Sequence, residues 1–331
     1  MNNTNDPCNS ILTEQGEEIS FTLKNTYGYP KTNHGFTNSL KQQRKDFSRY
    51  YIEFPSAIDT GNTENSMVKG ELFLPHTNQR APLMILVHGM GDQSTIPCRL
   101  ISRKLVRDGV ACFLPYLTIH SRRIPSSMKE HFPGFSAREW FQSYRISVID
   151  IQQIIDWAER DERIDPCRTG VLGISFGGLV SSIAMGVDQR IKAGIFIVSG
   201  GNSGKMEWLS QSKRYKNNEL MSEQEYQDRQ MAYKAFLEEI HQHGLLNVNF
   251  TNPSYLLDPM TFAESIKSRR IQMINAKYDK YIPRQAVTDF WRACGKPPIK
   301  WFPSGHTSIW LWAATIFKTV HSFTRENLIS L

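Results

Sequence analysis

Along the chain, short apolar runs alternate with stretches whose apolar residues recur every three or four positions. Pro82–Val87 (PLMILV) is one continuous apolar run, the pattern of a strand buried on both faces. Pro97–Arg107 has helical spacing and stops at Asp108-Gly109, a helix-end signal. Val110–Leu114 predicts the next strand, and a loop with Pro115, Pro125 and Pro133 follows. Ser136–Arg160 predicts a long amphipathic helix that opens on a capping box between Ser136 and Glu139. Further strands are predicted at Met67–Leu74, Thr169–Ile174, Ile191–Val198, Ile271–Asn275 and Ile299–Phe302. Helices are predicted over Phe176–Val187, over Arg284–Ala293 and from about Thr307. This alternation predicts an α/β fold with a doubly wound, mostly parallel sheet and helices on both faces.

Two regions depart from the rhythm. Residues 1–66 form a polar extension rich in Asn, Thr, Lys and Gln, with strands expected at Ile19–Lys24 and Tyr50–Phe54; the main domain spans 67–331. Residues 203–262 are polar and helix-favouring, which predicts a helical insertion over the sheet. Leu220, Met221, Tyr226, Met231, Tyr233, Phe236 and Leu237 supply its apolar side. No internal repeat is seen.

Composition narrows the functional classes. The chain has 331 residues, 40% hydrophobic and 21% charged, which is enough to bury a large core. The apolar run Ile309–Phe317 covers nine positions. A spanning helix needs about 20, so no membrane span is expected. The opening MNNTNDPCNS lacks the basic and apolar regions of a secretory leader. The net charge of +7 is dispersed without long basic tracts, so it is read as solubilising, and no nucleic-acid partner is expected. The five cysteines are widely spaced with no C-x-x-C, which argues for reduced thiols in a cytoplasm and against a disulfide framework or a zinc site. His241 and His243 lie in the insertion and read as a solvated helix face.

The chemistry concentrates at strand ends. Gly173-Ile174-Ser175-Phe176-Gly177 joins an apolar strand (TGVLGI) to a small-residue helix (GGLVSSIAMG). A G-x-S-x-G match is only moderately specific alone; the strand–turn–helix setting is what a nucleophile elbow requires. A serine hydroxyl needs a base, and the base needs an orienting acid. His306, in Pro303-Ser304-Gly305-His306-Thr307 after the last strand, is the candidate base. Asp279, in the loop after Ile271–Asn275, is the candidate acid. His88-Gly89-Met90-Gly91-Asp92 follows PLMILV directly, where a loop would present a backbone N–H beside the elbow. The N–H groups of Met90 and Phe176 are the candidate oxyanion hole. His88 braces that loop in preference to moving a proton. Neither G-x-x-x-x-G-K-[ST] nor G-x-G-x-x-G occurs there.

With HGMGD, GISFGG, the aspartate of NAKYDKYIP and the histidine of SGHTS in this order, the sequence resembles the α/β-hydrolase superfamily over about residues 68–325. Within it the chain is similar to the branch of dienelactone hydrolases, acetyl xylan esterases and prolyl-oligopeptidase catalytic domains. The shared features are the HGxGD loop, D-x-x-I-P after the acid and LPYLTIHSRRIP. Dienelactone hydrolases resemble a cysteine-nucleophile pattern, from which Ser175 departs. The resemblance implies a sheet of about eight strands, a lid-like role for 203–262, and no metal or organic cofactor. The implied activity is hydrolysis of a small-molecule carboxylic ester through an acyl-enzyme. A peptidase or amidase of the same fold and a non-catalytic binding protein are the alternatives, and a homodimer is compatible with each. His88, His120, Arg123 and Asn202 are the candidate substrate contacts, with Arg123 able to pair with an acidic ester.

Overall fold

The computed structural model describes residues 21–31, 35–59, 61–210 and 221–330. Among them one sheet holds β1 (Thr37–Gln43), β2 (Phe47–Pro55), β3 (Met67–Pro75), β4 (Ala81–Val87), β5 (Ala111–Tyr116), β6 (Ile164–Ile174), β7 (Ile191–Ile197), β8 (Arg270–Ala276) and β9 (Ile299–Phe302). The strand order is β1-β2-β3-β5-β4-β6-β7-β8-β9. The pairings β1/β2, β2/β3 and β3/β5 are antiparallel. Every pairing from β5 through β4 to β9 is parallel.

Helices cover both faces: α1 (Leu23–Tyr27), α2 (Thr95–Leu105), α3 (Ser126–Lys129), α4 (Ala137–Ala158), α5 (Phe176–Val187), α6 (Ser203–Leu209), α7 (Glu223–His243), α8 (Pro259–Ile266), α9 (Arg284–Ala293) and α10 (Ala313–Thr324). All of β4 is buried. Leu83, Ile85 and Val87 join the core under α4, α5, α8 and α9, whereas Met84 and Leu86 join the core under α2 and α10. A continuous apolar run is therefore the sequence of a strand with two dry faces. The long helix α4 opens at the expected capping box: Ser136 Oγ accepts from the Glu139 N–H, and the Glu139 carboxylate accepts from the Ser136 N–H.

The sheet has nine strands where about eight were expected. β1 (TNSLKQQ) is a polar edge strand with mostly exposed side chains, so no apolar pattern marked it. The strand expected at Ile19–Lys24 is not one. Phe21 makes a lone bridge with Phe250, and Leu23–Tyr27 is helical, capped by Thr22 Oγ1. Ile19 and Ser20 lie outside the described residues.

The insertion forms α6, α7 and α8, and it packs as a further layer on the α5 side. A Cβ at Gly186 of α5 would lie 2.5 Å from Phe262 Cβ of α8, so glycine lets the two helices touch. Tyr226, Tyr233 and Phe236 are buried, Met221 and Leu237 half-buried, and Met231 exposed. Tyr233 and Phe236 pack on Tyr255 with ring centroids 4.7 and 4.8 Å apart. Leu220 lies outside the described residues.

Candidate active site

The turn from β6 into α5 carries Ser175 at φ 56°, ψ −120°, a conformation that strains any residue with a side chain. Its N–H donates to Ile197 O on the neighbouring β7 at 2.8 Å, which fixes the turn to the sheet. The flanking glycines follow from contact geometry. A Cβ at Gly173 would stand 2.2 Å from Gly177 O, and one at Gly177 would stand 2.2 Å from Val87 O. Ser175 is thus lifted to the carboxyl-end edge of the sheet, at the N-terminus of α5.

His306 and Asp279 meet it there. His306 Nε2 lies 2.8 Å from Ser175 Oγ, and His306 Nδ1 lies 2.6 Å from Asp279 Oδ2. The other carboxylate oxygen, Oδ1, accepts the N–H groups of Tyr281 and Ile282 at 2.8 and 3.0 Å. With Nδ1 facing a carboxylate, the imidazole proton sits on Nδ1 and the Nε2 lone pair faces the hydroxyl. The Asp279 side chain is 3% exposed and that of His306 14%, so the carboxylate–imidazole bond is largely shielded from water. The Tyr278 N–H donates to Ser304 O at 2.9 Å and ties the loop after β8 to the loop after β9. The Tyr281 ring lies 5.0 Å from the imidazole.

The loop after β4 runs beside the elbow. A Cβ at Gly89 would come 3.2 Å from Ser175 Cβ. His88 is fully buried. Its Nε2 accepts the Leu117 N–H at 3.0 Å, so the proton is on Nδ1, 2.7 Å from Gly89 O. Ser94 Oγ also lies 2.7 Å from Gly89 O and bonds Gly91 O at 2.5 Å. The Phe176 ring, at the start of α5, packs edge-on against Tyr144 at 4.9 Å and tilts against Trp140 at 5.7 Å. Phe135 continues that aromatic wall at 5.1 Å from Trp140.

The other expected substrate contacts are engaged within the protein, and for Arg123 this corrects the expectation. Arg123 is fully buried in the core. Its Nη1 donates to Asp150 Oδ2 at 2.6 Å and to Tyr116 O at 2.9 Å, so its charge is committed to α4 and the end of β5. Burial pushes the Asp150 carboxyl up, against the pull of the Arg123 charge. Asn202 anchors the insertion: Oδ1 accepts the Lys205 N–H at the start of α6, and Nδ2 donates to Gln230 of α7. His120 is buried, stacked on Tyr116 at 4.2 Å and set edge-on to His88 at 5.4 Å. His88 is fully buried and ties the loop after β4 to Leu117.

Sequence reading missed Ser94, Tyr281 and the aromatic wall. Ser94 stands three residues after Gly91, the short range over which a hydroxyl folds back on a turn. Trp140 and Tyr144 sit four apart on one face of α4. Among the described residues, no three His, Cys, Asp or Glu side chains are gathered as a metal site would require. No described helix is long and apolar enough to cross a membrane.

An open, mostly parallel sheet with a strained serine at a strand-to-helix turn defines the α/β-hydrolase class. The family model described as "Alpha/beta hydrolase domain containing 18" matches residues 53–323, and the chain belongs to that family. An uncharacterized protein of Mycobacterium tuberculosis is 22% identical over 283 residues, covering 81% of this chain. The match covers only 62% of that relative's length. Among solved structures, the acetyl xylan esterase of Paenibacillus sp. R4 is similar with a TM-score of 0.61 at 16% identity, over 91% of this chain and 92% of that one. Acetyl xylan esterase 1 of Thermoanaerobacterium sp. JW/SL YS485 has a TM-score of 0.59 at 14% identity, over 92% and 99% of the two chains. Acylaminoacyl peptidase of Pyrococcus horikoshii also has a TM-score of 0.59, at 17% identity, over 86% of this chain and 42% of that one. These likenesses are of fold.

Proposed function

We propose that this chain is a serine hydrolase that cleaves carboxylic esters through an acyl-enzyme. The observation that carries the proposal is the unbroken line from Ser175 Oγ through the His306 imidazole to Asp279, at 2.8 and 2.6 Å. Ser175 Oγ attacks the acyl carbonyl while its proton passes to His306 Nε2. Asp279 stabilises the imidazolium that forms. The tetrahedral intermediate collapses as His306 returns that proton to the leaving alkoxide. Water then gives a proton to His306 and attacks the acyl carbonyl; the second intermediate collapses as His306 returns that proton to Ser175 Oγ, which releases the carboxylic acid and restores the hydroxyl.

The developing oxyanion is held by the N–H groups of Met90 and Phe176. Phe176 is the first residue of α5, so its N–H has no acceptor within the helix. The orientation of Met90 follows from the peptide plane. In a trans peptide the C=O and the next N–H point in opposite directions. His88 and Ser94 draw Gly89 O to one side, which turns the Met90 N–H to the other. The aromatic wall of Phe176, Trp140 and Tyr144 lines the acyl side. The acetyl xylan esterase neighbours favour an ester over an amide.

Intact-mass labelling with a fluorophosphonate tests the reading. A single adduct forms on the wild type and is absent from Ser175→Ala and His306→Ala. An adduct that survives in Ser175→Ala, or none on folded wild type, overturns it. A panel of p-nitrophenyl esters against aminoacyl anilides gives higher kcat/KM on the esters; the opposite order favours a peptidase.

A further inference from the structure

At the edge of the sheet opposite Ser175, where β8 and β9 begin, lies an open cleft of about 650 Å³. Its walls carry Lys267, Arg269, Arg270, Lys300 and Lys318 against one acid, Glu326. Two of these cations are engaged. Arg269 donates to the carbonyls of Asp188, Ile191 and Ser265 and braces β7, and Lys267 pairs with Glu264 at 3.0 Å. The other three are exposed and form no ion pair with a described residue. Lys300 Nζ donates only to the neutral hydroxyl of Thr319, at 2.9 Å. Thr315 and Ser322 of α10 line the same wall. Guanidinium, ammonium and hydroxyl groups on residues that line one concave surface form a donor set suited to phosphate. The volume lies in the range of small-ligand sites.

We propose that this cleft binds a compact phosphate-bearing anion through Arg270, Lys300 and Lys318. The ligand does not meet the serine, because β8 and β9 run the full depth of the sheet between them, from Arg270 toward Asp279 and from Lys300 toward His306. One phosphate chemistry serves two sources, a soluble metabolite or the headgroup of a lipid at a membrane surface.

Calorimetric titration of the full chain with inorganic pyrophosphate at physiological salt tests the proposal. One saturable event near one per chain is expected. The Arg270→Ala/Lys318→Ala pair weakens it roughly a hundredfold, about tenfold for each charge-assisted contact. The Arg103→Ala/Arg107→Ala pair leaves it unchanged. That pair sits in a second basic cleft, of about 430 Å³, beside the start of β2. Sedimentation with phosphatidylserine vesicles gives the source. Loss of sedimentation in the Arg270/Lys318 variant assigns a headgroup, and pyrophosphate binding without sedimentation assigns a soluble ligand. No saturable binding of either probe, or equal loss from both pairs of substitutions, overturns the site. Ser175→Ala binds pyrophosphate as wild type does, and Arg270→Ala/Lys318→Ala keeps its ester turnover, so this proposal and the esterase reading fail separately.

Discussion

Asp279 uses its two oxygens differently, and that division sets the outcome of a conservative change. Oδ1 accepts two backbone N–H groups, and Oδ2 faces His306. In Asp279→Asn the amide oxygen stays on the two N–H groups, so the NH2 faces Nδ1 and drives the imidazole proton to Nε2. The base is then blocked, and kcat falls about 10⁴-fold, the size seen for the same change in a serine protease. Steady-state kinetics check this. Ser94→Ala removes one of two groups on Gly89 O. It lowers kcat by up to about tenfold with KM little changed, since a net hydrogen bond is worth about 1 kcal/mol. Arg123→Ala leaves Asp150 buried and unpaired, and it costs about 3–5 kcal/mol in denaturant unfolding without altering KM for acidic esters. At this scale the meeting of Ser175, His306 and Asp279 was legible because each follows a strand at the same edge of the sheet. Arg123 was not. An arginine after a strand has the same sequence pattern whether it faces a ligand or a buried aspartate 27 positions on.

Between elements, legibility followed dryness. β4 and the inner halves of β6 and β7 announced themselves because their buried runs are almost wholly apolar or glycine. β1 gave no sign because it lies at the edge with mostly exposed, polar side chains. The layering of the insertion on α5 was equally silent, since Gly186 and Phe262 meet only once both helices exist. The elbow was legible through its glycines, and these are also its weak point. Gly177→Ala puts a methyl group 2.2 Å from Val87 O. The expected result is loss of fluorophosphonate labelling together with a stability loss at or above the usual ~1–3 kcal/mol of overpacking. Labelling and thermal melting measure the two effects side by side.

Across the whole molecule, charge is sorted by topology in a way that no local stretch of sequence displays. Both basic clefts lie at strand beginnings, away from the serine. On the antiparallel side, Glu71 of β3 is bound by Arg49, Arg99 and Tyr116 at 3.0, 2.6 and 2.8 Å. Burial alone would raise its carboxyl, but the bonds from Arg99 and Tyr116 and the charge of Arg49 outweigh it and hold the group below the usual carboxylate range. A depressed folded value means the stabilisation is complete above the unfolded value near 4.3 and is lost as pH falls through the folded one. Unfolding free energy therefore drops on acidification below about pH 4, and Glu71→Gln flattens that slope, as denaturant melts across the acid range would record.

The distance of 131 residues between Ser175 and its partner His306 also has a meaning in time. A ribosome adds roughly 5–20 residues per second, so the hydroxyl emerges on the order of ten seconds before the imidazole does. Until β8 and β9 close against β7, the nascent chain holds Ser175 without His306 beside it. On the proposed reading, the centre can react only once β9 and the loop that carries His306 have been made.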